Sequence, residues 1–149
     1  MRRYNVVLAL AAAALGVSFM GYAVEYAGTN GMFLITTTPK SVDAAAAAIR
    51  DYAAERQWLY LAEFKVKNGE VTLLKLCVPS VAKRIWAAGI HVGAMAPCGN
   101  LSVYREAGAT KIVLLHPKFM DALNPDPNLK QVGDELLPLF TAMLDEVGR

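Results

Sequence analysis

The segment from Trp58 to Cys77 constrains the fold of this chain more than any other. Trp58, Tyr60, Ala62, Phe64 and Val66 alternate with Leu59, Leu61, Glu63, Lys65 and Lys67, the period-two pattern of a strand. Asn68-Gly69 follows, and these residue types tolerate the positive φ that a type I′ hairpin turn requires at both central positions. With those two as the loop, Lys67 faces Glu70, Val66 faces Val71, Phe64 faces Leu73 and Tyr60 faces Cys77. The pattern puts the apolar pairs and Cys77 on the core face, and Lys65, Lys67, Glu70 and Thr72 on the other.

The flanking segments supply the remaining elements. Tyr26 to Gly31 reads as a polar connection, so the domain is expected to begin near Met32. Met32 to Thr38 is rich in β-branched residues and reads as a first strand. Ser41 is placed to cap a helix whose first turn holds Asp43, with Val42, Ala45 or Ala46, Ile49 and Ala53 on one face. Pro79 opens a short helix through Ala88, which Gly89 stops. Ile90 to Gly99 reads as a loop. Leu101, Val103, Ile112 and Leu114 alternate as a second hairpin around Ala107-Gly108-Ala109, ended by His116-Pro117. Asp126 caps a last helix with Pro127 at its first position. Leu129, Val132, Leu136, Phe140, Met143 and Val147 lie on its inward face, and Pro138, which lacks the donor for one helical bond, is expected to kink it. Hairpins with grouped helices imply an α+β fold: an antiparallel sheet of about five strands covered by helices on one face.

An N-terminal hydrophobic helix is expected to precede this domain. Arg2 and Arg3 stand before Tyr4 to Val24, 21 residues without a formal charge, and Glu25 closes the run. As a helix it would be roughly 31 Å long, enough to span a bilayer. A basic start before an apolar run is the pattern of an export signal. It is either cleaved, with Gly21-Tyr22-Ala23 placing the cut before Val24, or kept as a single inner-membrane anchor with its arginines inside. Residues 1–27 are therefore assigned to the signal or anchor and 28–149 to the domain, with a periplasmic, bacterial cell-envelope location. Residues 1–27 hold two of the 15 basic and one of the 13 acidic residues, which leaves 13 basic against 12 acidic. Such balance gives no reason to expect nucleic acid.

Residue types with metal or redox chemistry gather in Ile90 to Cys98. His91, Met95 and Cys98 are ligand types that suit copper or haem iron, and His116 would supply the second histidine of a copper set. Against this stands a structural reading in which Met95 packs, His91 is solvated and Cys98 is half of a disulfide. An oxidising compartment allows Cys77 to bond Cys98, closing a loop of roughly 20 residues and stabilising by about 3 kcal/mol in the chain-entropy model. As a free thiol, Cys98 with His91 or His116 as base would be a nucleophile. C-x-x-C-H and C-x-x-C are absent, as are G-x-S-x-G and a glycine-rich phosphate loop. Asp134-Glu135 and Asp145-Glu146 read as a solvated helix face.

The stretch from Met32 to Val147 resembles the bacterial family known as domain of unknown function 302. The resemblance rests on Ser41-Val42-Asp43, on Leu76-Cys77-Val78-Pro79, and on Met95-Ala96-Pro97-Cys98 leading into Leu101-Ser102-Val103-Tyr104. Asn124-Pro125 before the terminal helix fits as well. Ala96 departs from the leucine common in the family, and Gly99-Asn100 differs from its usual residues. The resemblance implies an antiparallel α+β fold, an N-terminal signal or anchor in many members, and dimers. It also implies cysteine at the positions of Cys77 and Cys98, and carries no established activity.

The sequence leaves enzyme status open. Its leading expectation is a non-enzymatic envelope domain holding a small ligand, copper or haem near Cys77, His91, Met95, Cys98 and His116. The alternatives are a thiol redox enzyme built on Cys98 and a structural module forming a homodimer.

Overall fold

Six strands form one antiparallel sheet, and its parity decides which side chains are buried. The computed structural model describes residues 23–27, 31–95 and 99–149. The strands are β1 Glu25–Ala27, β2 Phe33–Thr38, β3 Leu59–Val66, β4 Val71–Cys77, β5 Asn100–Glu106 and β6 Ala109–Leu115, in the order β1-β2-β6-β5-β4-β3. The helices are α1 Val42–Glu55, α2 Pro79–Ala87, α3 Phe119–Leu123 and α4 Pro127–Gly148. The main helices lie on one face: α1 packs on β3 to β6, α4 on β2, and α2 on α4.

The α+β layering and helix grouping match the sequence pattern, with one strand more than expected. The extra strand is β1, where a polar connection was expected. It pairs Glu25 with Ile35 and Ala27 with Phe33, so the sheet starts before residue 28. The apolar run assigned to an N-terminal helix falls almost wholly in residues 1–22, outside the described residues. Among the described residues no helix is long and apolar enough to cross a membrane.

Local chemistry sets the helix ends. Ser41 accepts the Ala44 N–H through its hydroxyl (3.2 Å), and Asp126 accepts those of Asn128 and Leu129 (2.7 and 3.4 Å), satisfying donors that a helix start leaves free. Helix α4 continues through Pro138, and Thr141 donates its hydroxyl to the Leu137 carbonyl (2.8 Å). All six residues expected on its inward face are buried. The acidic pairs of α4 do more than face solvent. Glu135 accepts from Ser80 (2.9 Å) and pairs with Arg84, tying α4 to α2, while Glu146 pairs with Arg56 after α1 (2.9 Å).

The Trp58–Cys77 hairpin has the expected turn but other faces. Asn68 (φ 55°, ψ 30°) and Gly69 (φ 89°) occupy its centre, and the Glu70 N–H bonds the Lys67 carbonyl (3.1 Å) as in a type I′ turn. Val66 pairs with Val71 and Phe64 with Leu73. A bulge between Tyr60 and Ala62 then shifts the register, so Cys77 pairs with Leu59 and Tyr60 with Leu76. The bulge turns Ala62, Phe64 and Val66 away from the helices, and Glu63 and Lys65 toward them. An edge strand tolerates this because long polar side chains reach past the helix to water. Glu63 meets Arg50 and Lys65 meets Asp43, both at 2.8 Å and both on α1. Thr72, Leu74 and Leu76 therefore supply the core face of β4.

Four threonines sit on that core face: Thr36, Thr38, Thr72 and Thr110. Thr38 accepts the Lys40 N–H (3.3 Å), whereas the hydroxyl oxygens of Thr36, Thr72 and Thr110 are buried without a partner. An unpaired buried hydroxyl costs its lost hydration, and valine has nearly the same shape. Thr72→Val is therefore expected to raise the unfolding free energy by about 1 kcal/mol. Thr38→Val, which loses a made bond, is expected to lower it. Denaturant titration of the two variants checks both signs.

Candidate functional site

Strands β4 and β6 finish, and β5 starts, at the same end of the sheet, which brings their connections together there. His116 follows β6 directly. Its N–H bonds the Met32 carbonyl (2.8 Å), extending the β2–β6 ladder by one residue before Pro117 interrupts it. The Phe119 N–H then bonds the His116 carbonyl (3.0 Å) as α3 begins.

The imidazole is held on three sides. Tyr26 of β1 lies against it with ring centroids 5.8 Å apart, and Phe119 meets it near edge-on at 6.4 Å. Nδ1 accepts the Lys118 N–H (3.2 Å), so the neutral ring carries its proton on Nε2 and donates from there. Burial, and then the charge of Lys118, hold the His116 pKa below its ordinary value. The ring therefore stays neutral at pH 7. His116, Lys118, Phe119, Ala122 and Gly31 line a cleft of about 360 Å³, within the range of small-molecule sites.

A charged lip adjoins it. Lys118 also borders a smaller cleft of about 110 Å³ with Asp121, Lys130 and Asp134. Asp134 takes the ammonium groups of Lys118 (2.8 Å) and Lys130 (3.0 Å). Those bonds, Lys118 first, hold its carboxyl below the usual carboxylate range. Two lysines face two aspartates there, so the lip has no strong net charge.

The residues singled out from sequence divide by place. His91 is exposed on a 3-10 segment, Ile90–Met95, where a plain loop was expected, and its ring lies beside Gly89. Met95 packs partly buried against the core, as the structural reading had it. Cys77 is buried at the end of β4. Cys98 lies outside the described residues, and with it the expected disulfide and the thiol nucleophile. The Leu76 N–H bonds the Gly99 carbonyl (2.9 Å), which ties the end of β4 to the approach of β5. Among the described residues, no three His, Cys, Asp or Glu side chains gather as a metal-holding group.

Comparison with known proteins places this geometry. A family model described as "Domain of unknown function DUF302" matches residues 34–147. The chain belongs to the DUF302 family. The crystal structure of an uncharacterized conserved DUF302 protein from Bacillus stearothermophilus is similar, with a TM-score of 0.70 at 22% identity. The match covers 79% of this chain and 98% of that one, and at such identity it shows the shared fold. No curated protein matches the chain.

Within the DUF302 match lie His116, Lys118, Phe119 and Ala122 of the cleft, whereas Tyr26 and Gly31 precede it. Sequence reasoning singled out His116 but missed its neighbours. Tyr26 sits in what reads as a polar connection, and Phe119 follows a proline in a stretch without evident periodicity. The available signal was His116-Pro117 itself, since a proline after a strand turns the chain sharply and leaves the preceding side chain at the sheet end.

Proposed function

We propose that this DUF302 chain is a non-catalytic binding module of the cell envelope, taking a small planar molecule in the cleft at His116. The carrying observation is a neutral imidazole wedged between Tyr26 and Phe119 in a cleft of about 360 Å³. The rings offer apolar faces, and Nε2 offers one donor to an acceptor on the ligand. The envelope assignment draws its support from the sequence: Arg2 and Arg3 precede an uncharged apolar run that ends one residue before β1.

Thermal unfolding of the full chain with 2-naphthoate and with 1-naphthamide tests the cleft. These are planar probes with a charged and a neutral acceptor. At least one is expected to raise Tm in a concentration-dependent way, because a ligand bound to the folded state stabilises it by mass action. His116→Ala and Phe119→Ala should each remove that rise. A Tm unmoved by either probe, or a rise that survives both substitutions, would overturn the assignment.

A further inference from the structure

The face of the sheet turned away from the helices is apolar as well. By the observed pairing it carries Phe33 and Ile35 of β2, Val113 and Leu115 of β6, Tyr104 of β5, and Leu73 and Phe64 of β4 and β3. An antiparallel sheet with one solvated face ordinarily shows polar residues there. Here Phe64 is 61% exposed, and Leu59, Val66 and Leu73 are exposed too. Helices α1, α2 and α4 all lie on the opposite side.

We infer that a second copy of this chain covers the open face, the two sheets stacking face to face. Size supports this. Strands about 4.8 Å apart at about 3.3 Å per residue, β1 three residues long and β2 to β6 six to eight, present roughly 600 Å². Two such faces bury roughly 1,200 Å², the lower end of stable specific interfaces. Charge supports it also. The charged side chains sharing this face are Lys75 and Lys111 against Glu25 and Glu106, a balance that suits a copy of itself better than a strongly charged partner. Twisted sheets packed about 10 Å apart interdigitate their side chains into a second core, and a two-fold axis makes one patch complementary to itself. This assignment stands independently of the His116 cleft.

Photo-cross-linking in the full chain, in the membranes or envelope of the expressing cell, tests it. Benzoylphenylalanine is placed at position 35 or 64 on the open face, or at position 51 on the exposed side of α1. Positions 35 and 64 are expected to give a cross-linked pair of this chain, and position 51 none. Val113→Lys, opposite Ile35 in the ladder, brings two like charges together across the axis. It should cut the position-35 product at least about tenfold. Phe64→Lys is the second variant, at a half-solvated rim position where folding is insensitive, and should also cut it. Products joining position 35 to this chain's own residues 1–22 or to another protein would overturn the inference. So would equal yield from position 51, or no product at all.

Discussion

Replacing Phe140 by alanine is expected to lower the unfolding free energy by about 3–5 kcal/mol, a large share of the stability of a domain this size. Phe140 is 1% exposed on the inward face of α4. Its ring meets Trp58 nearly perpendicular, centroids 5.7 Å apart, and Trp58 meets Tyr52 of α1 in the same manner at 5.5 Å. The ring also lies against Gly99, where an added Cβ would stand 3.1 Å from its Cζ. One side chain therefore joins α4, the start of β3 and the approach to β5. Its loss leaves a cavity that three elements from distant parts of the sequence cannot jointly close. Chemical denaturation followed by far-UV dichroism reads the effect as a fall in midpoint with the slope unchanged. A loss below about 1 kcal/mol would mean that the site collapses around the smaller residue.

Ala46→Leu is expected to cost about 1–3 kcal/mol by overpacking. Helix α1 buries Ala45, Ala46, Ile49 and Ala53 against the sheet, with Ala45 and Ala53 at 0% and Ala46 at 1% exposure. Methyl-sized side chains fix how near the helix axis lies to the strands. Three more carbons there must lift α1 or drive neighbours from their rotamers. Lifting α1 would also stretch the Arg50–Glu63 and Asp43–Lys65 pairs that hold its outer side to β3. The same denaturation experiment measures the loss. An unchanged or raised midpoint would show unfilled space between α1 and the sheet.

The layering was legible because its signals are local. Asn68-Gly69, Ser41, Asp126-Pro127 and the period of α4 each act within a few residues, and each lies where the pattern put it. What failed were choices that local pattern leaves degenerate. Strand β4 is apolar on both parities, Leu74 and Leu76 on one and Val71 and Leu73 on the other. Nothing within the hairpin selects between them. The selection comes from the Leu61 bulge and from α1, whose Arg50 and Asp43 receive Glu63 and Lys65. Strand β1 was missed because three residues carry no measurable period, and its place depends on pairing with β2. The same holds for the cleft. Tyr26 and Phe119 lie 90 and three residues from His116 in sequence, and only the β1–β2 pairing and the turn after Pro117 bring all three rings together.

That cleft can be read through the histidines themselves. The chain holds two, His91 on the exposed 3-10 segment and His116 between its aromatic neighbours. With Cε1 labelled by ¹³C, each gives its own imidazole resonance during titration with 2-naphthoate or 1-naphthamide. The account predicts that the His116 signal moves and saturates while the His91 signal stays in place. A His116 signal that stays fixed at saturating probe, or a response confined to His91, would contradict it.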